Sequence, residues 1–383
     1  MKYHWEFNIS IIKSLYIHYP FCRHLCNYCD FHKKVPTHHS DEDNFQKYLE
    51  RSINVHQNLL NENDSSFAKL ETLYIGGGTP SLWGKKGISF LLDLLEKNNI
   101  YFEDDYEFTI ELNPGSWNKN DLIELKKMGV NRISVGVQSL TETTLKALDR
   151  IHSLRDVHRT LESLADLNFN YSVDFMLGLP KEKTGPRDII SEVQNILKYE
   201  PSHLSSYILT VNKNYIHYTD LPDENFVADE FLSLSSYMTN NGFDHYEVSN
   251  FSKSNLRSRH NLKYWRGESV AALGPSATGF IELGNSNGLR YKWKTIDLPN
   301  FSQELISENE YKLERFFLKL RISDGVDLTE FIKAENLQEA KLFIDQLSKS
   351  GHLLSNDPKK LILSPLGYLS SDSITTRFLS LFK

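Results

Sequence analysis

The sequence predicts an α/β fold in which a mainly parallel sheet over 1–210 is followed by a connecting segment over 211–300 and a smaller winged-helix-like α+β module over 301–383. Three observations predict it. Up to about residue 210, short β-branched or aromatic runs alternate with amphipathic helical stretches, which is the rhythm of βαβ units. Nearly every predicted strand then ends on a cysteine, glycine or polar residue, where parallel α/β architectures collect their chemistry. Beyond residue 210 that rhythm breaks.

In order, the predicted strands cover 14–18, 71–75, 106–112, 132–137, 172–177 and 203–209, and the helices between them cover 43–58, 88–97, 122–128, 142–148, 155–167 and 188–198. Gly129 stops one helix and Pro186 opens another. Strands alternating with helices imply right-handed crossovers and a parallel sheet, either open or curled into a partial barrel. After a polar loop with Pro222, a helix is expected over 226–240, a strand over 243–249 and a hairpin turn over 284–288. From about 313 the pattern reads helix, helix, helix, strand, strand, with Gly351 ending the third helix and the last strand at 361–363. No basic stripe runs along 339–349, so the winged-helix-like module reads as packing rather than as a DNA reader.

The 383 residues are 24% charged and 40% hydrophobic, a globular composition, and the net charge of −7 with a pI near 6.1 offers no basic field for nucleic acid. No apolar run approaches the roughly 18 residues of a membrane span. The first twenty residues lack a secretory pattern. A reducing cytoplasmic location is therefore expected, as it is from cysteines too clustered to form a disulfide framework.

All three cysteines, Cys22, Cys26 and Cys29, lie in one loop with the spacing C-x3-C-x2-C. Three soft thiolates in so short a reach suit one inorganic centre. A cubane iron–sulfur cluster held this way keeps one iron corner free of protein. A structural zinc with His24, His32 or His38 as fourth ligand is the competing reading. Downstream, the Gly76-Gly77-Gly78-Thr79-Pro80 turn leaves backbone carbonyls accessible to an ammonium group, unless it is merely a tight turn. Glu111, at the next strand end, can accept from hydroxyls or an amine, unless it is a solvated surface carboxylate.

The segments YIHYPFC…CNYCDF, YIGGGTPS, ELNPG, VNRISVGVQS, Asp174 followed by LGLP, and HNLKYW occur in this order over 16–265. Together they resemble the HemN/HemW group of radical S-adenosylmethionine (radical SAM) proteins. The resemblance implies a (β/α)6 partial barrel and a 4Fe-4S cluster on Cys22, Cys26 and Cys29, with S-adenosylmethionine chelating the open iron. It implies cofactor contacts at Tyr16, Tyr28, Gly77, Gly78, Thr79, Glu111, Gln138, Arg150 and Asp174. Arg150 would clamp a carboxylate with its planar fork, and Tyr16 and Tyr28 would pack on the cofactor. A surface ion pair for Arg150 and plain core packing for the tyrosines are the competing readings.

Two features separate the branches of that group. Its oxidase, which decarboxylates coproporphyrinogen III in porphyrin biosynthesis, carries a further cysteine where this chain has Phe31, and a longer segment before its cysteines than the 21 residues here. HNLKYW instead resembles the HNxxYW signature of the HemW branch, which implies a haem chaperone. His260 could ligate haem iron, with Tyr264 and Trp265 as flat faces, although a core histidine among aromatics is the ordinary alternative. The expected partners are haem and haem-acceptor proteins, with peripheral contact to membrane haem proteins, and the protein would act as monomer or dimer. Oxidase chemistry stays open as the second reading, and so does whether S-adenosylmethionine is cleaved.

Overall fold

Every strand predicted before residue 210 forms, and all lie in the sheet in chain order. The computed structural model describes residues 10–38, 40–181, 187–294 and 298–382. Strands β1 (Ser10–Tyr19), β2 (Ser65–Gly77), β3 (Phe102–Leu112), β4 (Arg132–Gln138), β5 (Asn170–Leu177) and β6 (His203–Ile208) run parallel, each beside the next. Between them lie α1 (Ser40–Glu62), α2 (Gly84–Lys97), α3 (Lys119–Lys127), α4 (Glu142–Ala147), α5 (Leu154–Asp166) and α6 (Ile189–Leu197). Reciprocal capping boxes start α3 at Asn118 and Asp121 and α5 at Ser153 and Asp156. Pro186, expected to open α6, falls outside the described residues.

Strand order decides between an open sheet and a barrel. A doubly wound sheet reverses direction at a switch point. Here each right-handed crossover moves one strand further in the same direction, which puts every helix on one face. That face carries Leu15, Ile17, Leu73, Ile75, Phe108, Ile110, Ile133, Val135, Val173 and Phe175, all buried. The alternate positions are polar and bond across the strands: Tyr74 donates to Glu111 (2.9 Å), Ser134 to Asp174 (2.9 Å), and Ser172 meets Ser205 (3.0 Å) and His203 Nδ1 (2.8 Å). The sheet curls around this second face as the expected partial barrel, with a polar lumen.

The segment after residue 210 completes the walls. It supplies α7 (Glu224–Asn240), β7 (Asp244–Glu247), β8 (Asn250–Ser252), α8 (Arg259–Arg266) and β9 (Ala271–Leu273). β8 pairs antiparallel with β6 and with β7, and β9 lies parallel to β1, giving a nine-stranded sheet. The strand expected over 243–249 is thus the shorter β7, and the chain folds back at Val248 and Ser249 into β8, which was not expected. β10 (Thr278–Leu283), β11 (Asn287–Trp293) and β12 (Phe301–Ile306) form an antiparallel sheet, with the expected turn realised as a single 3-10 turn at Gly284–Ser286.

The last part begins with α9 (Glu308–Lys319), which starts earlier than the expected 313 because Ser307 and Glu310 form a capping box. The expected middle helix is two 3-10 turns, Leu328–Glu330 and Ala334–Asn336, after Gly325 in the left-handed region at φ +83°. α10 (Leu337–Lys349), the hairpin β13 (Leu353–Asp357) and β14 (Lys360–Leu363), then α11 (Pro365–Leu369) and α12 (Ser371–Leu379) follow. Among the described residues no helix is long and apolar enough to cross a membrane.

Two aromatic residues of β11 fasten the second sheet to the barrel edge. Trp293, fully buried, donates from Nε1 to the Ala272 carbonyl (2.7 Å), and the Tyr291 hydroxyl accepts from the Ala272 amide (2.8 Å) while meeting His56 Nε2 of α1 (2.6 Å). Trp293→Ala would leave a large cavity and an unbonded Ala272 carbonyl. Urea unfolding should show a loss of about 3–5 kcal/mol, and a loss below about 1 kcal/mol would mean that the hairpin is not anchored through this ring.

Candidate active site at the carboxyl ends of the strands

The cysteine loop leaves β1 and is held on two sides by backbone bonds. The Gly78 amide donates to the Tyr19 carbonyl (2.7 Å) and the Thr79 amide to that of Phe21 (2.8 Å). On the other side the Cys22 amide donates to the Lys34 carbonyl (3.0 Å) and the Lys34 amide to that of Pro20 (2.8 Å). Tyr19, Phe21, Phe45 and Trp83 form an aromatic cluster beneath, all buried. The glycine run follows from this closeness. A Cβ on Gly78 would come within 2.6 Å of the Phe21 carbonyl oxygen, and Gly77 sits at φ +115° with its Cα against the His18 ring.

Three side chains then link Cys22 to the strand ends. Arg150 Nη2 donates to Asn113 Oδ1 (2.6 Å), Asn113 Nδ2 to Thr79 Oγ1 (2.9 Å), and Thr79 Oγ1 to Cys22 Sγ (3.5 Å). Arg150 also donates to the Gly136 carbonyl (2.8 Å) and reaches the Tyr28 hydroxyl (3.5 Å), while its Nε is buried without a partner among the described residues. Arg150 therefore forms no surface ion pair. It is fixed at the edge of the site with one donor unspent.

A cavity of about 510 Å³ opens here, walled by Cys29, Tyr28, Gly77, Gly78, Thr79, Glu111, Gln138, Arg150 and Asp174. Nine residues chosen from the sequence thus meet in one space. Cys22 is buried just behind it, and Cys26 borders a smaller pocket of about 140 Å³ that shares Thr79 and Arg150 with the first. Tyr16 faces a side cavity of about 510 Å³ that shares Gly77 and Glu111 with the main one. Asn113, Tyr74, Ser134 and Tyr207 also line the main cavity and were not anticipated. Asn113 is the third residue of the ELNPG motif, and the others sit at lumen-facing alternate positions, so strand periodicity would have found them.

Charges in this space are shaped by burial. Glu111 accepts from the Tyr74 hydroxyl (2.9 Å) and the Gly77 amide (3.0 Å), yet burial raises its pKa to about 7, with nearby Asp174 adding to the rise. Asp174 is also raised by burial, opposed by hydrogen bonds from Ser134 and other serines. Gln138 is held at φ +70°, a strained value for a residue with a side chain, while buried Arg187 donates to its carbonyl (3.5 Å). Burial pushes the Cys22 and Cys26 thiols up as well, against Thr79 and Arg150 respectively, which pull them down.

The HNLKYW segment forms α8, and of its three expected haem residues His260 and Tyr264 stay together while Trp265 turns away. His260 points into the lumen, 1% exposed, with Nδ1 on Thr72 Oγ1 (2.8 Å) and its ring stacked on Tyr74 (5.2 Å) and edge-on to Tyr264 (5.4 Å). Its Nε2 has no partner among the described residues, and burial lowers its pKa to about 3. Trp265 packs instead toward Tyr246, Leu262 and Ile322. None of the three lines either large cavity.

Whether these residues suit an iron–sulfur cluster can be judged from the donors. All three cysteines are free thiols in one loop, and the cavity begins at Cys29. Among the described residues no three His, Cys, Asp or Glu side chains, the three cysteines included, are already drawn together around a single point. Three soft thiolates in one loop beside the cavity would suit an iron–sulfur cluster, which would supply one-electron chemistry there.

The Radical SAM superfamily model matches residues 16–192, and the fold and cysteine loop define a protein of that class. Coproporphyrinogen III oxidase (HemN) from Escherichia coli, a radical SAM enzyme, shares the fold, with a TM-score of 0.77 at 21% identity over 96% of this chain and 90% of that one. Curated relatives narrow the placement. Heme chaperone HemW of Lactococcus lactis subsp. lactis is 30% identical over 96% of this chain and 97% of its own length. That of Bacillus subtilis is 30% identical over 96% and 99%, and that of Escherichia coli 31% over 85% and 87%. The chain belongs to the HemW-like family of radical SAM proteins.

Glu111 has a measurable consequence. Between its ordinary value of 4.5 and about 7 the folded chain holds a proton there that the unfolded chain has lost. Stability conferred at this site is therefore full below pH 4.5 and falls as pH rises to about 7. Glu111→Gln, neutral throughout, should gain on the wild type by up to about 3 kcal/mol across that interval. Urea midpoints followed from pH 4.5 to 7.5 check this: they should diverge, and midpoints that stay level with each other would mean that Glu111 ionises like an exposed carboxylate.

Proposed function

We propose that the protein is a haem chaperone: it binds haem and passes it to acceptor proteins, and it carries a 4Fe-4S cluster on Cys22, Cys26 and Cys29 with S-adenosylmethionine at the open iron. The observation that carries the chaperone reading is the near end-to-end similarity to proteins named heme chaperone HemW, which covers 96% of this chain in two of them. Phe31 supports it from within, standing two-thirds exposed beside the cavity where the resembling oxidases carry another cysteine. A cluster so bound supplies one-electron chemistry and a corner for an amine–carboxylate chelate.

This chain's own residues give the site its order. The unspent Arg150 Nε can donate to a carboxylate, and the Gly77–Glu111 corner can accept from an ammonium group or a ribose hydroxyl. The Arg150–Asn113–Thr79 chain fixes Cys22 and keeps the loop in register with the strand ends. We further propose division of the chain at about 210 and 300, a cytoplasmic location, and haem proteins, including membrane-attached ones, as acceptors. The second reading, an oxygen-independent coproporphyrinogen III oxidase, is favoured by the intact cysteine loop and the cavity beside it.

Anaerobic reconstitution separates these readings. The wild type should take up about four irons per chain with sulfide, and Cys22→Ser, Cys26→Ser and Cys29→Ser should each lose them; zinc without sulfide would defeat the cluster assignment. The reconstituted protein should bind haem to saturation and leave coproporphyrinogen III unchanged with S-adenosylmethionine and reductant. Release of protoporphyrinogen would replace the chaperone by the oxidase.

A further inference from the structure

We propose that haem is held in the side cavity between the cysteine loop and the β10–β11 hairpin, with the His32 imidazole on the iron and the Lys292 ammonium on a propionate. This rests on the haem-chaperone reading and names a site for its cargo. The cavity, about 510 Å³, is walled by Tyr16, His18, Phe31, His32, Thr278 and Lys292 among others. It joins aromatic surface, an imidazole and a cation, the three features that an iron porphyrin dianion requires.

Three histidines stand near enough to be considered, and accessibility separates them. His18 has both ring nitrogens engaged, Nδ1 with the Tyr16 hydroxyl (3.0 Å) and Nε2 with the His32 carbonyl (2.8 Å). It therefore holds the His32 backbone in place and has no lone pair to give. His260 has a free Nε2 but lies 1% exposed behind Tyr74, so that an iron reaching it would have to displace α8 or the ring stack. His32 is exposed, its ring forms no hydrogen bond or ion pair among the described residues, and it stands 6.1 Å from the His18 ring on the cavity wall. Partial desolvation against the cavity wall, with Lys34 and Lys292 nearby, keeps that imidazole below its usual pKa, and only the neutral ring is a ligand.

The remaining walls match the cargo. Phe31, 67% exposed, offers a bare ring next to the imidazole. Lys292 projects from β11 and, like His32, forms no ion pair among the described residues, which leaves it for a carboxylate. Asp30, Phe31, Gly77 and Glu111 border this cavity and the cofactor cavity alike, so cargo and cofactor would share a wall.

The test is haem titration of reconstituted protein, read by the Soret band, by affinity and by electron paramagnetic resonance of the ferric form. His32→Ala should shift the Soret band and weaken binding by at least ~10-fold, since loss even of groups supporting a ligand costs a metal that much. Lys292→Ala should weaken binding without changing the iron's spectrum. His260→Phe, which keeps the ring volume in the lumen, should leave spectrum and affinity as in the wild type; far-ultraviolet circular dichroism and cluster absorption check that each variant is folded. An unchanged spectrum in His32→Ala, or its loss in folded His260→Phe, overturns the assignment while leaving the chaperone reading intact. A wild type that binds no haem overturns both.

Discussion

Once every crossover helix lies on one side, the inner face of β1–β6 has no apolar layer to meet, and its side chains must satisfy one another. Parallel strands are ordinarily apolar on both faces. Here Thr72, Tyr74, Glu111, Ser134, Ser172, Asp174, His203 and Ser205 bond across the lumen instead. The consequences run upward through the molecule. The lumen is polar enough to accept a polar cofactor at its mouth, and its low end is closed by α8, whose His260 joins the same network through Thr72. Its Glu111 is desolvated far enough to hold a proton that a surface glutamate would have lost.

The cysteine loop depends on that frame but is not part of it. It is clamped between Gly78–Thr79 and Lys34 by main-chain bonds, so the positions of Cys22 and its neighbours follow from β1 and β2. The Arg150–Asn113–Thr79 chain then joins β2, β3 and the α4–α5 turn to one sulfur. Two strand ends and a helix turn thus meet at one cysteine, which is how a loop comes to hold rigid geometry.

Much of this was legible in the sequence because it is local. Each βα unit declares itself by a period change and a cap, and the motifs fall at strand ends, so Glu111, Gln138 and Asp174 could be placed on one rim, whereas Arg150, beyond a helix end, was reached only through the family resemblance. What was not legible depends on distant partners. Ala271–Leu273 is too short and bland to read as a strand, and it becomes one only because β1 offers an edge and Tyr291 and Trp293 grip Ala272. The glycines of the GGG turn looked like an invitation to a ligand, yet Gly77 and Gly78 are first of all demanded by His18 and Phe21. The split of His260 from Trp265 was invisible for the same reason: a motif fixes neighbours along the helix, not what packs on each of its sides. Polar residues at every second position of the parallel strands were present throughout, and they were the overlooked sign of a hollow barrel.

Gln138 carries a consequence for anyone who would make this protein sturdier. Its backbone lies in the left-handed region, where a side chain costs about 1–2 kcal/mol that glycine avoids. Stability taken alone would choose glycine there. The amide side chain, however, forms part of the cavity wall, between Gly136 and Arg150. Selection for a firmer fold and selection for an intact binding surface therefore pull this one residue in opposite directions, and a thermostable variant obtained here would be expected to trade away ligand for melting temperature.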